Sequence, residues 1–149
     1  MLSEVLKSIF ERDLNKLKLE IELYRDENNM WTVDKQISNS AGNLCLHLIG
    51  NLNAYIGKEL GGTNYTRNRQ LEFSQKNIAR TGLIKQIDST ILVVKNSLDK
   101  LNQDELEKNY PIIVFDKVMS TEYFLVHLSA HLGYHLGQIN YHRRLLDAD

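Results

Sequence analysis

Apolar residues at helical spacing constrain the fold of this chain more than any other feature. They recur every three or four positions in four segments, and they predict helices over roughly residues 2–27, 40–60, 81–102 and 120–147. One proline and eight glycines leave these segments largely uninterrupted. Four helices that each present one apolar face bury one another best as a bundle, so the sequence predicts an all-α four-helix bundle.

Two of the predicted connections between these helices are long. Residues 61–80 are polar and basic, and residues 103–119 contain the β-favouring run Ile112–Phe115, which we expect to be extended or to cross one end of the bundle. Long connections allow consecutive helices to lie across the bundle from one another. We therefore expect a bundle with long crossover connections.

Composition narrows the class of protein. The 149 residues are the size of one domain, so we expect a single domain over residues 1–149. A formal net charge of −1 gives no electrostatic reason to expect nucleic acid or an acidic membrane as a partner. The longest apolar runs are far too short to span a bilayer, and the first residues start an amphipathic pattern rather than a signal peptide. These features favour a cytoplasmic protein.

The single cysteine, Cys45, excludes an internal disulfide and a multi-cysteine zinc site. It lies on the second predicted helix, about 200° around the helix from His47. We interpret Cys45 as a buried structural residue and not as a metal ligand.

Four of the five histidines lie in the last predicted helix: His127, His131, His135 and His142. At about 100° per residue they share one wedge of that helix, which faces the core. Histidines four residues apart have Cβ atoms about 5–6 Å apart, so two such imidazoles can converge on one ion. His127 and His135 are about 12 Å apart along the axis, too far for one metal. The usable pairs are His127 with His131 or His131 with His135, and helical geometry leaves both open.

A third ligand has to come from another helix, and His47 is the only remaining histidine. It lies in the apolar stripe of the second predicted helix, where an imidazole without a partner is costly. For any one histidine alone, a hydrogen bond to a backbone carbonyl is the simpler interpretation. Five inward histidines are harder to explain in that way, so the set predicts a metal site.

Three neutral nitrogens without a thiolate describe a site with open coordination positions, which is typical of catalytic rather than structural zinc. We expect a divalent metal ion as cofactor, with zinc or nickel first and iron or manganese as alternatives. Ligand type alone does not distinguish these metals.

No glutamate stands beside the paired histidines, as it does in the His-Glu-x-x-His pattern of zinc proteases. A hydrolytic mechanism normally uses a nearby carboxylate as general base, whereas a metal deprotonates a bound thiol without one. The sequence therefore favours transfer of a small thiol over hydrolysis. Asn51, Tyr134 and Gln138 are candidates for hydrogen bonds to a ligand or a substrate, with ordinary interhelical hydrogen bonds as the alternative.

The segment His127–Arg144, with its His131-Leu-Gly-Tyr-His135-Leu-Gly-Gln138 element, resembles the last helix of the DinB/YfiT-like superfamily. The resemblance extends to Trp31 and to the segment Asn43–Leu52, and it covers roughly residues 31–145. It implies a four-helix bundle that holds a divalent metal on three histidines, one from the second helix and two from the last.

Carried over by position, those three metal ligands are His47, His131 and His135, which places His127 and His142 outside the coordination sphere. Characterised members of the superfamily include thiol transferases such as bacillithiol transferase and a mycothiol-dependent isomerase. The resemblance thus implies an enzyme that transfers a low-molecular-weight thiol. Metal-dependent hydrolysis and a non-catalytic, stress-related or metal-sequestering bundle are the alternatives. Members of the superfamily are often homodimers, so a homodimer is expected.

Two further features carry weaker expectations. The 61–80 connection holds four basic residues and a single acidic one, Glu72, and it would offer an anion site if it closed over the metal; a solvated loop is the alternative.

Ser129, Gly133 and Gly137 form a small-residue stripe on the last helix. Glycines in a helix cost about 1 kcal/mol each relative to alanine, so we expect another helix to approach closely there, within the bundle or across a dimer interface.

Overall fold

The computed structural model describes residues 1–148, which are 68% helical and form no strands, only two isolated β-bridges. The predicted all-α class is confirmed. Six α-helices follow one another along the chain: α1 (Leu2–Leu23), α2 (Ala41–Leu52), α3 (Arg69–Ser74), α4 (Arg80–Leu98), α5 (Gln103–Glu107) and α6 (Thr121–Leu146). A 3₁₀ turn over Glu27–Trp31 precedes α2, and a π-helical turn over Asn53–Lys58 continues it.

The four long helices α1, α2, α4 and α6 build the bundle. Both α1 and α2 pack against α4 and α6. Helix α2 therefore lies diagonally across the bundle from α1, and α6 lies diagonally across from α4. The connections 24–40 and 99–120 therefore cross the bundle. The 61–80 connection, in contrast, joins the neighbours α2 and α4. Within residues 1–148, no helix has both the length and the hydrophobicity of a membrane span.

The first helix is shorter than the predicted 2–27. It ends at Leu23 because Tyr24 adopts an extended conformation with ψ of 128°. The side chain of Asp26 then accepts a hydrogen bond from the Asn28 N–H and starts the 3₁₀ turn. Polar residues that accept backbone hydrogen bonds locally compete with helix continuation. At the start of α6, the predicted cap is present, since Ser120 accepts a hydrogen bond from the Tyr123 N–H.

Helix α2 is the most enclosed element, because all twelve of its residues are buried. Trp31 lies against Gly42, where a Cβ atom would come within 2.5 Å of the indole ring. On another side, the amide of Asn43 donates hydrogen bonds to the carbonyls of Glu72 (2.9 Å) and Gln75 (2.8 Å). The 61–80 connection thus contains a short helix, α3, that packs on α2, although most of its other residues are exposed. Side chains of α2 consequently face the protein on every side.

The run Ile112–Phe115 belongs to the crossover connection and ends in a tight turn. Phe115 and Asp116 both have positive φ, 57° and 52°, and an isolated bridge joins Val114 to Lys117. Positive φ is costly for residues with bulky side chains. This turn leaves Phe115 exposed at the edge of α6.

Candidate metal centre

Three histidine side chains from two helices meet in the bundle. His47 comes from α2, and His131 and His135 come from successive turns of α6. The Nε2 atom of His131 lies 3.3 Å from Nε2 of His47 and 3.1 Å from Nε2 of His135. One ring nitrogen of each histidine lies within 4.8 Å of those of the other two, so the three residues could hold a metal ion.

These spacings suit donor atoms of one cation. Metal–nitrogen bonds of about 2.0–2.1 Å separate two donors by about 3.3–3.4 Å at a tetrahedral angle and by about 2.8–3.0 Å at 90°. The observed 3.1 and 3.3 Å fall between these values. The rings also meet edge-on, since His131 lies at 87° to His135 and 76° to His47.

Hydrogen bonds on the far side of two rings fix their tautomers. Nδ1 of His47 lies 3.0 Å from a carboxylate oxygen of Glu72, and a carboxylate accepts only, so Nδ1 carries the proton. Nδ1 of His135 similarly donates to the side-chain oxygen of Gln138 at 2.6 Å. Both Nε2 atoms are therefore left with a lone pair directed towards His131.

The third ring makes a metal-free cluster unfavourable. Nδ1 of His131 is buried and has no hydrogen-bond partner among the described residues. If the proton of His131 is on Nε2, this atom can donate to Nε2 of His47 or of His135 but not to both, and the remaining contact brings two lone pairs together. If the proton is on Nδ1, both contacts bring two lone pairs together. A cation at the convergence of the three Nε2 atoms removes this conflict, so the residues fit a metal ion.

The environment also keeps the rings of His131 and His135 neutral, as metal ligands must be. Burial lowers the pKa of His131 to about 4, helped by the neighbouring His135 and His47. Burial likewise lowers the pKa of His135, although the hydrogen bond to Gln138 opposes this effect. Both imidazoles are therefore unprotonated at neutral pH.

A buried ion pair supports the outer side of His47. Arg67 donates to both carboxylate oxygens of Glu72, at 2.9 and 3.0 Å. Burial acts to raise the pKa of Glu72, but the hydrogen bonds from His47 and Arg67 outweigh it and hold that pKa below its usual value. Glu72 is thus an ionised group that orients His47, an arrangement common behind metal-bound histidines.

Glycine at position 50 makes room for this carboxylate. A Cβ atom built on Gly50 would lie 2.0 Å from Oε2 and 2.6 Å from Cδ of Glu72. Since His47 and Arg67 hold the carboxylate from two other sides, it has little freedom to move aside. The absence of a side chain at Gly50 is therefore a requirement of the His47–Glu72 contact.

The sequence places no glutamate beside the paired histidines, but the structure brings a carboxylate to His47. Glu72 arrives from α3, 25 residues from His47 in sequence, so the spacing of residues along one helix did not reveal it. The only signal available was its position as the one acid in a basic connection. Nothing in helical periodicity could have identified Arg67 or Gly50 as supporting residues.

The remaining two histidines lie outside the cluster, which leaves His131 with His135 as the converging pair. The ring of His127 stacks on Phe124, 5.8 Å away between centroids, and lies edge-on to Phe115 at 5.3 Å. Nε2 of His142 donates to the Thr32 carbonyl at 2.8 Å, so Nδ1 accepts from the Tyr24 hydroxyl at 2.7 Å. His142 therefore ties α6 to the end of α1, a structural role.

The three candidate hydrogen-bonding residues occupy different places. Gln138 supports His135, as described. Tyr134 is exposed, and its ring lies edge-on to His135 at 5.3 Å, but its hydroxyl has no hydrogen-bond partner in residues 1–148. Asn51, one turn beyond His47 on α2, is 94% buried, and its Oδ1 has no partner among the described residues.

Two clefts, lined by different histidines, reach the histidine cluster. One, of about 440 Å³, is bordered by His47 and His131 and also by Asn51, Arg67 and His127. The other, of about 480 Å³, is bordered by His135, Gln138 and Tyr134. A small molecule could therefore approach the cluster through either cleft.

Comparison with known proteins identifies a family. The sequence matches a family model, DUF1572, over residues 4–149, and that family is described as a protein of unknown function. No curated protein matches the sequence. Because the match extends over nearly the whole chain, this protein belongs to the DUF1572 family.

Proposed function

We propose that this chain is a cytoplasmic, DinB-like, divalent-metal-dependent enzyme that transfers a small thiol to an electrophilic substrate. The main support for a metal is the convergence of three Nε2 atoms. The hydrogen bonds to Glu72 and Gln138 leave two of these atoms, those of His47 and His135, with a free lone pair. His47, His131 and His135 would hold the ion. Zinc or nickel is the first choice of metal and iron or manganese the alternative, because the donor spacings suit tetrahedral and octahedral ions alike.

The metal would supply Lewis acidity and lower the pKa of a thiol bound to it. The chain supplies the rest. Glu72 and Gln138 keep two imidazoles in the ligating tautomer, and burial keeps His131 neutral. In the overall reaction the thiol loses its proton, a sulfur–carbon bond forms, and the leaving group departs with the electrons of the bond it gives up.

Thiol transfer is preferred because the nearby carboxylate is not free to act as a base. Both oxygens of Glu72 are engaged, one by His47 and Arg67 and the other by Arg67. The residues that border the 440 Å³ cleft include no aspartate or glutamate. A reaction that needs no carboxylate base is therefore better supported than one that does.

Metal-assisted hydrolysis is the second candidate, and one observation favours it. His127 borders the same cleft as His131, and its ring has no hydrogen-bond partner in residues 1–148. An imidazole in that position could accept a proton from a water molecule. The choice between the two reactions rests on activity measurements.

Metal content tests the first part of the proposal. We expect about one equivalent of zinc or nickel after reconstitution and dialysis against a weak chelator. His131→Gln should reduce this strongly, whereas His127→Gln, a change to a histidine on the same helix and cleft, should retain one equivalent. Less than a tenth of an equivalent in the unmodified protein would remove the metalloenzyme proposal.

Activity tests the second part. The reconstituted protein is assayed with cysteine-based thiols plus an activated aryl chloride and, separately, with nitrophenyl esters. Metal-dependent thioether formation that His131→Gln abolishes is the expected result. Ester turnover without thioether formation would favour hydrolysis, and bound metal with neither activity would favour the non-catalytic alternative.

A homodimer remains part of the proposal. The predicted close approach of a helix to Gly133 and Gly137 does not occur inside the bundle, since a Cβ atom at either position would meet nothing within 4 Å in the described residues. A second copy is the remaining way to cover this stripe.

A further inference from the structure

The cleft that borders His47 and His131 has a distinctive distribution of charge. Two guanidinium groups, those of Arg67 and Arg69, border it, and no carboxylate does. Arg67 is largely neutralised by Glu72, which lies behind it. Arg69 has no acidic partner among the described residues and only stacks over the Phe73 ring, with 5.3 Å from the guanidinium carbon to the centroid. The cleft therefore carries an uncompensated positive charge even without a metal.

A buried amide in the same cleft lacks a partner. Asn51 is 94% buried, borders the cleft and has no hydrogen bond to its Oδ1 within residues 1–148. A buried polar atom without a partner costs about 1–3 kcal/mol. Because Oδ1 accepts hydrogen bonds, a ligand with an N–H or O–H group directed at it would recover this free energy. Unlike an exposed loop residue, Asn51 is fixed on α2, one turn from His47.

The remaining wall of the cleft is apolar and aromatic. Phe124 and Leu128 from α6 face the crossover run Ile112–Phe115. The volume of about 440 Å³ lies in the range of sites for small organic molecules. Phe115 reaches this wall from the turn with positive φ, and backbone strain of this kind is concentrated at functional sites.

We propose that this cleft is the substrate site and that it takes a small organic anion with an apolar body. The acidic group would lie at Arg69 and the free edge of Arg67, and an O–H or N–H group of the ligand would donate to Oδ1 of Asn51. The apolar body would pack on Phe124 and the Ile112–Phe115 run. This inference rests on the proposed function for the role of the ligand as a substrate, but the anion preference belongs to the protein side chains themselves.

Nuclear magnetic resonance titration tests this preference directly. ¹⁵N-labelled protein, zinc-free and zinc-loaded, is titrated with 3-(4-hydroxyphenyl)propionate, whose phenol can donate to Oδ1 of Asn51, and with its neutral amide. The zinc-free form matters because a metal would itself attract a carboxylate. In both forms we expect the acid to shift the Asn51 side-chain amide signals and to bind about tenfold more tightly than the amide, the ratio for about 1.4 kcal/mol.

Three variants assign the effect to residues. Arg69→Gln should weaken binding of the acid about threefold, the size expected for an exposed charge pair, and leave binding of the amide unchanged. Asn51→Leu, which fills the same space, should weaken both probes. Arg144→Gln is the matched control, because Arg144 is another exposed arginine stacked on a ring, that of Tyr141. It should change neither affinity.

Equal affinity for acid and amide in the zinc-free protein would overturn the inference, as would an equal loss in Arg69→Gln and Arg144→Gln. Zinc stoichiometry is measured on the same samples. One equivalent of zinc without an anion preference would contradict this inference and leave the proposed function intact. An anion preference in a protein that takes up no zinc would support the anion site and contradict the proposed metal-dependent function.

Discussion

Glu72 and His47 form a buried contact of 3.0 Å between a carboxylate oxygen and Nδ1, and this contact determines which nitrogen of His47 faces the other two histidines. It joins two parts of the chain that lie 25 residues apart. Because Arg67 holds the same carboxylate through two hydrogen bonds, the orientation of one candidate metal ligand depends on the packing of the 61–80 connection.

Glu72→Gln should therefore lower the metal affinity without removing a ligand. The neutral amide accepts a hydrogen bond from His47 less strongly and can present its NH₂ group instead, which would disfavour the ligating tautomer. Loss of such a supporting partner typically reduces metal affinity by about 10–100-fold. Competition with a chromophoric chelator measures it. The substitution should also lower the free energy of unfolding by about 3 kcal/mol, because Arg67 loses its buried counter-charge.

Glu20→Gln is the control for that loss of stability. Glu20 is a largely buried glutamate that accepts hydrogen bonds from Arg143 (2.7 Å) and Asn140 (2.6 Å), at a site remote from the cluster. It should lower the free energy of unfolding and leave metal affinity unchanged. If Glu72→Gln binds metal within twofold of the unmodified protein, the orienting role of Glu72 is wrong.

Gly50→Ala should damage the metal site through the same carboxylate. The added methyl group would occupy the space within 2.0 Å of Oε2 of Glu72, so the carboxylate has to leave its position against His47. We expect metal affinity to fall at least as much as in Glu72→Gln, about tenfold or more. Gly82→Ala on α4 is the matched control, since its nearest neighbour would be a methyl group at 3.4 Å, an ordinary contact. Unchanged affinity in Gly50→Ala would show that Glu72 adapts at no cost to the site.

The bundle was predictable because helical periodicity is a local property. The apolar stripes located all four long helices, and the spacing of His131 and His135 put two candidate ligands on one face. Spacing alone could not choose this pair over His127 with His131, because both pairs are four residues apart. That choice depends on where α2 lies against α6, which is a matter of tertiary packing.

The supporting residues could not be predicted for the same reason. Glu72 and Arg67 lie in a connection without strong periodicity. Their contact with His47 depends on the hydrogen bonds by which Asn43 holds the α3 backbone against α2. Helix ends were also misjudged where a side chain competes with the backbone, as Asp26 does after α1. Local patterns therefore placed candidate ligands on the two helices, and long-range packing determined which of them converge and what supports them.

The open small-residue stripe on α6 gives a test of the proposed homodimer. Gly133→Trp places a large side chain where a second copy would have to approach, so it should shift the protein from dimer to monomer in sedimentation velocity. Leu92→Trp, at an exposed apolar position on α4, should leave the dimer intact. A monomer at all concentrations in the unmodified protein would contradict the dimer, and equal effects of the two variants would place the interface elsewhere.

Acid should weaken both metal binding and the metal-free fold, and the direction follows from the buried histidines. In an unfolded chain, a histidine has a pKa of about 6.5, whereas burial lowers the pKa of His131 in the folded protein to about 4. Between these values the unfolded state binds more protons. The free energy of unfolding of the metal-free protein should therefore be fully retained above about pH 6.5 and should fall as the pH drops towards 4. Urea unfolding at pH 7, 5.5 and 4.5 measures this slope.

Metal release should follow in the same direction, because protons compete for the nitrogens that bind the ion. Zinc should be retained at pH 7 and released by about pH 4, where His131 itself becomes protonated in the folded protein. His131→Gln should flatten the urea–pH dependence of the metal-free protein, whereas His127→Gln should leave it nearly unchanged. Full retention of zinc at pH 4 would show that histidines are not its ligands, since imidazoles that are protonated cannot coordinate a cation.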